Sequence, residues 1–375
     1  TGHNRISKGE NLVKLNSTVT KSVLTAGALT AGLVMAQTSA LADNFNLRIA
    51  AGHPSAPLAS VNQLNKTFVP NVTKRVAAET DHTVRFIEGY GGSIAKVSET
   101  LEAVESGILD IGAYCVCAEP SKLFLHNFSY FVPFGPRDSA RAIQIARTIY
   151  DKHPWLQEQL SQNHKQELLA LNGWDNYHLG TVLPWDSIDE LRGVKIAGAG
   201  PNLPWLEFVG AVPVQSALPD GYLSLQTGVY SGWLMFPSAY YSFNLHEPAP
   251  NYTLINFGSV GGAVILTVNT KAIAALPTEV QAIIREVGQD YEQVASIALN
   301  EGQAGGLKNL KEAGTSIRIL PDSVRKDWAE SLADFPNQMA QDANARDMPG
   351  TEILRDYIEA VSQTGHEWPV SYVIE

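Results

Sequence analysis

The stretch Leu191–Tyr241 reads LRGVKIAGAGPNLPWLEFVGAVPVQSALPDGYLSLQTGVYSGWLMFPSAYY, and its reading decides the fold. Apolar alternation in Val194-Lys195-Ile196-Ala197 predicts a short strand, stopped by a Gly/Pro-rich turn from Gly198 to Pro201. A helix then begins near Pro204 and ends before the turn residues Gly210 and Pro213. Pro219-Asp220-Gly221 opens a second helix, and Tyr230-Ser231-Gly232 leads into an aromatic run.

The same alternation of short strands and helices extends in both directions. Upstream, strands are predicted at Leu47–Ala51, Thr83–Ile87, Ile108–Tyr114 and Glu167–Asn172. Helices fill the intervals over Asn62–Glu79, Ala140–Asp151 and Trp155–Asn163. Downstream, Ala263–Asn269 and Ser316–Leu320 are strands, and Pro277-Thr278-Glu279 opens a long amphipathic helix running towards Ala304. The glycine turn Gly89-Tyr90-Gly91-Gly92 lacks the spacing of a P-loop or dinucleotide fingerprint. The chain has no internal repeat and no low-complexity linker.

Several pieces of this pattern coincide with one family. Leu191-Arg192-Gly193-Val194-Lys195-Ile196, Ala211-Val212-Pro213-Val214, Tyr222-Leu223-Ser224-Leu225-Gln226-Thr227-Gly228-Val229 and Ser231-Gly232 stand in ungapped register. Asp110-Ile111-Gly112 adds a further match. The chain resembles the substrate-binding proteins of tripartite ATP-independent periplasmic (TRAP) transporters, the DctP-like family.

The resemblance implies an α/β, two-domain periplasmic binding protein of the class II-like kind, with mixed sheets, a hinge and a long helix spanning both domains. Residues 43–171 with 261–298 would form the first domain, and 172–260 with 299–375 the second, ligand lying between them. It further implies a monomeric receptor that captures a small organic solute by cleft closure and presents it to membrane permease subunits. No cofactor or metal is expected. An α/β enzyme is the rival class, but the chain has no nucleophile elbow, no H-E-x-x-H and no metal-type cysteine spacing.

The family's ligand-gripping residues are the ones that differ. Its carboxylate-binding Arg, at the end of the strand, corresponds to Ala197, and a ligand-packing aromatic residue corresponds to Leu218. The Glu and Asn of its E-N-P loop become Leu234 and Met235, and a further Arg aligns with His178. Aromatic residues crowd the same loops: Trp174, Tyr177, Trp205, Trp233, Phe236, Tyr240 and Tyr241. About half of these are expected in the core.

Aromatic faces without a guanidinium suit a cation, through contacts of about 0.5–2 kcal/mol each. The leading expectation is therefore a small amine or amino alcohol of ethanolamine size, neutralised by Glu119 or Asp175. Each carboxylate has a competing assignment as a solvated loop residue. An aromatic acid, its anion held by backbone N–H groups, His178 or Asn202, is the alternative. His53, Tyr114 and Asn176 complete the candidate site, each on a loop or strand end expected to face the cleft.

Composition is consistent with an exported receptor. Lys8, Lys14 and Lys21, the apolar run Ser22–Ala36 and the small-x-small triplet Ala40-Leu41-Ala42 read as a signal peptide cleaved after Ala42. Its loss takes the formal charge from −11 to −14, since Arg5, Lys8, Lys14 and Lys21 go with only one acid, Glu10. An acidic periplasmic protein is a poor binder of nucleic acid or anionic membrane. The two cysteines, Cys115 and Cys117, are too closely spaced for a disulfide along an extended strand and are expected as small buried hydrophobes.

Overall fold

In the computed structural model, residues 43–56 and 58–375 are described. The expected leader and its cleavage site lie outside them. Eleven strands follow one another among the described residues. In the first half these are β1 (Asn44–Ala51), β2 (Thr83–Tyr90), β3 (Ile111–Cys115), β4 (Gln166–Trp174) and β5 (His178–Thr181). They continue as β6 (Lys195–Gly198), β7 (Val212–Gln215), β8 (Gly232–Met235), β9 (Asn251–Leu254), β10 (Val260–Asn269) and β11 (Ser316–Ile319).

Two mixed sheets result, ordered β2-β1-β3-β10-β4 and β11-β9-β5-β8-β6-β7. The first is built from runs buried on both faces, such as Ile111–Cys115 and Val260–Asn269, because helices cover each side. Strands β1, β2 and β3 are mutually parallel, so their following loops emerge at one end. In the second sheet β6, β7 and β8 are likewise parallel. Four of its strands, β5, β7, β8 and β9, were not anticipated from the sequence. Each is only four residues long, and β5 and β8 are wholly buried, which removes the alternation that marks a strand.

The chain passes between the sheets from β4 to β5 and returns from β9 to β10. Asn176 joins these two passages: its Oδ1 accepts the Gly258 N–H at 2.9 Å and its Nδ2 donates to Asn256 Oδ1 at 2.8 Å.

The long helix, Thr278–Glu312, extends eight residues beyond the expected end. Of the three glycines near that end, Gly306 is the point of close approach, whereas Gly305 faces open space and Gly302 makes only an ordinary contact. A Cβ on Gly306 would lie 2.6 Å from Pro237 C and Ser238 N of the helix Pro237–Ser242. Nearer its start, Gly288 packs against the Leu169 carbonyl of β4. The one helix thus touches elements beside both sheets. Arg285 pairs with Glu167 of β4, Glu292 accepts the Leu171 N–H at 2.6 Å, and Gln303 Oε1 accepts the Asn176 N–H at 3.0 Å.

Candidate ligand-binding cleft

The loops after the parallel strands of both sheets converge on a cavity of about 620 Å³. Gly52 and His53 follow β1, Gly91 and Gly92 follow β2, and Cys117 and Ala118 follow β3. From the other sheet come Ala199 and Gly200 after β6, Ser216–Asp220 after β7 and Phe236 after β8. Carboxyl ends of parallel strands are where ligands sit in open α/β sheets, and here two such sets face each other.

The wall is mostly aromatic. The Trp174 indole stacks on Phe236, centroids 5.3 Å apart and planes 14° from parallel, and Tyr177 meets Phe236 edge-on at 5.3 Å. His53 closes one side against Trp174 at 5.6 Å. Burial lowers the His53 pKa to about 4, so its ring is neutral at pH 7. Trp233 occupies the second-sheet side. Its indole Nε1–H is buried and without a hydrogen-bond partner, although buried polar groups are nearly always satisfied.

Two charged side chains border the cavity, Lys96 and Asp220, both exposed. The Lys96 ammonium has no ion-pair or hydrogen-bond partner among the described residues. Sequence reasoning passed over it because a lysine before a helix reads as a solvated surface residue.

Of the candidate residues, His53, Trp174, Leu218, Trp233, Met235 and Phe236 lie on the cavity. The others are placed elsewhere, for identifiable reasons. The Tyr114 hydroxyl donates to Gln166 Oε1 inside the first sheet at 2.7 Å. Glu119 ends the turn after β3 and faces Lys122 at 3.5 Å; partial burial raises its pKa. Asn176 is committed to the crossing described above. His178 lies within β5, where its Nδ1 accepts the Asn256 N–H at 3.1 Å; burial lowers its pKa to about 3.

Asn202 Oδ1 accepts the Ala199 N–H at 2.9 Å, shaping the turn behind the cavity. Trp205 donates to the Tyr130 carbonyl at 3.1 Å and stacks on Phe257 at 4.9 Å, deep in the core. Tyr240 donates to the Ala249 carbonyl at 2.6 Å. Ala197 is fully buried, in register with Val214 on one side and Trp233 on the other. Partners in a parallel register point to the same face, so the indole of Trp233 stands beside the small Ala197 methyl.

Asp175 lies behind the aromatic wall rather than in it. Its carboxyl is buried, and burial raises its pKa to about 7; neither oxygen completes a hydrogen bond, although Ser238 opposes part of that rise. Both carboxylates expected to hold an amine are therefore off the cavity.

The cysteine expectation is also corrected. Cys115 and Cys117 are joined as a disulfide. In an extended strand i and i+2 Cα atoms lie about 6.6 Å apart. Here the helical turn Val116–Ala118 brings them to 5.1 Å, well inside bridging range.

No helix among the described residues is long and apolar enough to cross a membrane. The chain is 26% identical over 262 residues to the C4-dicarboxylate-binding periplasmic protein DctP of Rhodobacter capsulatus, covering 68% of this chain and 76% of that protein. A TRAP solute-binding protein of Rhodoferax ferrireducens, solved with copurified benzoate, superposes with a TM-score of 0.76 at 15% identity, covering 85% of this chain and 98% of the other. A marine-metagenome TRAP solute-binding protein specific for aromatic acid ligands, solved with 3-hydroxybenzoate, gives 0.74 at 19% identity, covering 85% and 98%.

The two-domain α/β fold of TRAP solute-binding proteins is therefore shared. Such proteins are receptors that bind small solutes and work with membrane permease components; they are not enzymes. Residues 57–342 match the family described as bacterial extracellular solute-binding protein, family 7, and the chain belongs to that family, DctP.

Proposed function

We propose that this TRAP receptor captures a small, flat organic acid, an aromatic monocarboxylate of benzoate size, and not the amine anticipated from the loss of the family arginine. The observation that carries this reading is the Trp233 indole N–H, buried without an acceptor on a residue that also lines the cavity. A donor in that state favours a ligand that brings an acceptor, since an unpaired buried donor costs about 1–3 kcal/mol. An ammonium group, which has no lone pair to offer, would leave it unpaired.

Two further features support the acid. Lys96, after the first-sheet strand β2, offers the cavity a cation able to neutralise a carboxylate. The parallel rings of Trp174 and Phe236 offer flat apolar faces to an aromatic ring. Benzoate and 3-hydroxybenzoate are the ligands of the two solved relatives above, which agrees with this chemistry. The amine reading keeps one support, the rim residue Asp220.

Calorimetric titration of benzoate against ethanolamine separates the two. Benzoate is expected to bind, and Lys96→Met to weaken it by about 1.5–3 kcal/mol, the worth of a charged hydrogen bond. Trp233→Phe should weaken it by about 0.5–1.5 kcal/mol, a neutral one. Binding of ethanolamine with no response to carboxylates would overturn the proposal in favour of the amine.

A further inference from the structure

The disulfide sits at the cavity rather than in the framework. Cys115 ends β3, where it pairs with Val264 of β10, and Cys117 lines the cavity one turn later. The Cys115 Sγ accepts two hydrogen bonds: from the Cys117 N–H at 3.3 Å and from the Trp174 indole N–H at 3.4 Å. That indole is the one stacked on Phe236. On its other side the bridged turn meets the facing loop, since a Cβ on Gly200 would lie 2.7 Å from the Cys117 carbonyl oxygen.

The bridge thus touches the aromatic wall, the cavity surface and the opposite loop at once. No other cysteine exists in the chain with which it could exchange. The disulfide holds one acceptor of the Trp174 indole N–H, with the Tyr130 hydroxyl as its neighbour on that group.

We propose that the Cys115–Cys117 disulfide is a positioning element for Trp174, and that its redox state sets the affinity of the cleft. The proposal rests on the cavity being the ligand site. Chemically, a dithiol thiolate attacks one Sγ, the S–S bond breaks, and the second dithiol sulfur displaces the mixed disulfide. Two electrons and two protons pass to the protein, giving the Cys115 and Cys117 thiols, and the dithiol leaves as its cyclic disulfide. The freed Cys115 side chain then rotates about χ1, and its sulfur no longer stays at the Trp174 N–H.

The experiment uses the exported full-length protein, with and without dithiothreitol, reduction being verified as a mass gain of two hydrogens. In ¹H–¹⁵N spectra the Trp174 indole resonance, assigned through Trp174→Phe, should shift or broaden on reduction, and Cys115→Ser/Cys117→Ser should reproduce the change. The benzoate dissociation constant should rise roughly three- to tenfold in both, the scale of one neutral hydrogen bond. An unmoved indole resonance after verified reduction, an unchanged dissociation constant in protein shown to bind benzoate, or free thiols in the exported protein would each overturn the proposal. If the oxidised protein does not bind benzoate, the acid reading falls, while the indole resonance still decides the positioning role.

Discussion

The Asn176 side-chain oxygen accepts the Gly258 N–H at 2.9 Å, tying the two chain segments that pass between the sheets. Its Nδ2 donates to Asn256 Oδ1 at 2.8 Å, so Asn176→Ala would leave a buried N–H and a carbonyl-type oxygen unpaired. Each such group costs about 1–3 kcal/mol. Urea denaturation of Asn176→Ala should show a matching loss of stability, and an unchanged midpoint would contradict this role.

Two adjacent glycines of the long helix should respond to the same substitution with opposite signs. A Cβ on Gly305 meets nothing within 4 Å, so Gly305→Ala should stabilise by up to about 1 kcal/mol through helix propensity. At Gly306 the Cβ would press on the Pro237–Ser238 backbone at 2.6 Å, and overpacking of about 1–3 kcal/mol should outweigh that gain. Thermal melting of both variants checks the contrast.

Asp175 should make stability fall with rising pH. Its folded-state pKa, raised to about 7 by burial, lies above the ordinary 3.8, so its contribution is complete below 3.8 and lost as pH climbs through about 7. The buried His126 and His178, lowered to about 4 and about 3, act in the opposite sense, losing stability as pH drops below 6.5. The two effects separate by difference: Asp175→Asn should gain on the parent progressively from about pH 4 to 7, with a limiting slope of about 1.4 kcal/mol per unit. A constant difference in melting temperature across that range would count against it.

Restoring the family arginine should fail without a second change. Ala197 is fully buried beside Trp233, so Ala197→Arg would place an unpaired charge where the indole already fills the space. A loss of several kcal/mol is expected. Ala197→Arg/Trp233→Ala should recover much of it and bind benzoate at least as well as the parent. Equal instability of single and double variants would show that the two residues do not compete for one volume.

Ligand should also compact the molecule. The cavity opens between loops of two sheets whose chain connections include the β4–β5 and β9–β10 passages and the long helix, a layout suited to hinge closure. Small-angle scattering with saturating benzoate should give a smaller radius of gyration at constant mass. No change despite calorimetric binding would mean a preformed cleft.

The first sheet was legible in the sequence because its strands are long and apolar, as Leu47–Ala51 and Ala263–Asn269 show, with strong turn and helix signals between them. The family was legible because the Leu191–Ile196 and Tyr222–Val229 segments keep their spacing, and with it came the family's two-domain plan and long helix. Local patterns could also name the aromatic residues of the site.

Tertiary structure alone decided which way those residues face. Trp174 and Trp205 are indistinguishable as sequence signals, yet one lines the cavity and the other stacks on Phe257 in the core. Glu119 and Asp175 read as ligand anions until packing put Lys122 beside one and sealed the other behind the wall. Lys96 gained its meaning only when the loops of the two sheets met, and Cys117 reached Cys115 only because a turn shortened their separation to 5.1 Å. Periodicity records which residues are apolar along one element; it carries no information on which distant loop will cover them, and charge, burial and hydrogen bonding at a cleft are set by that second fact.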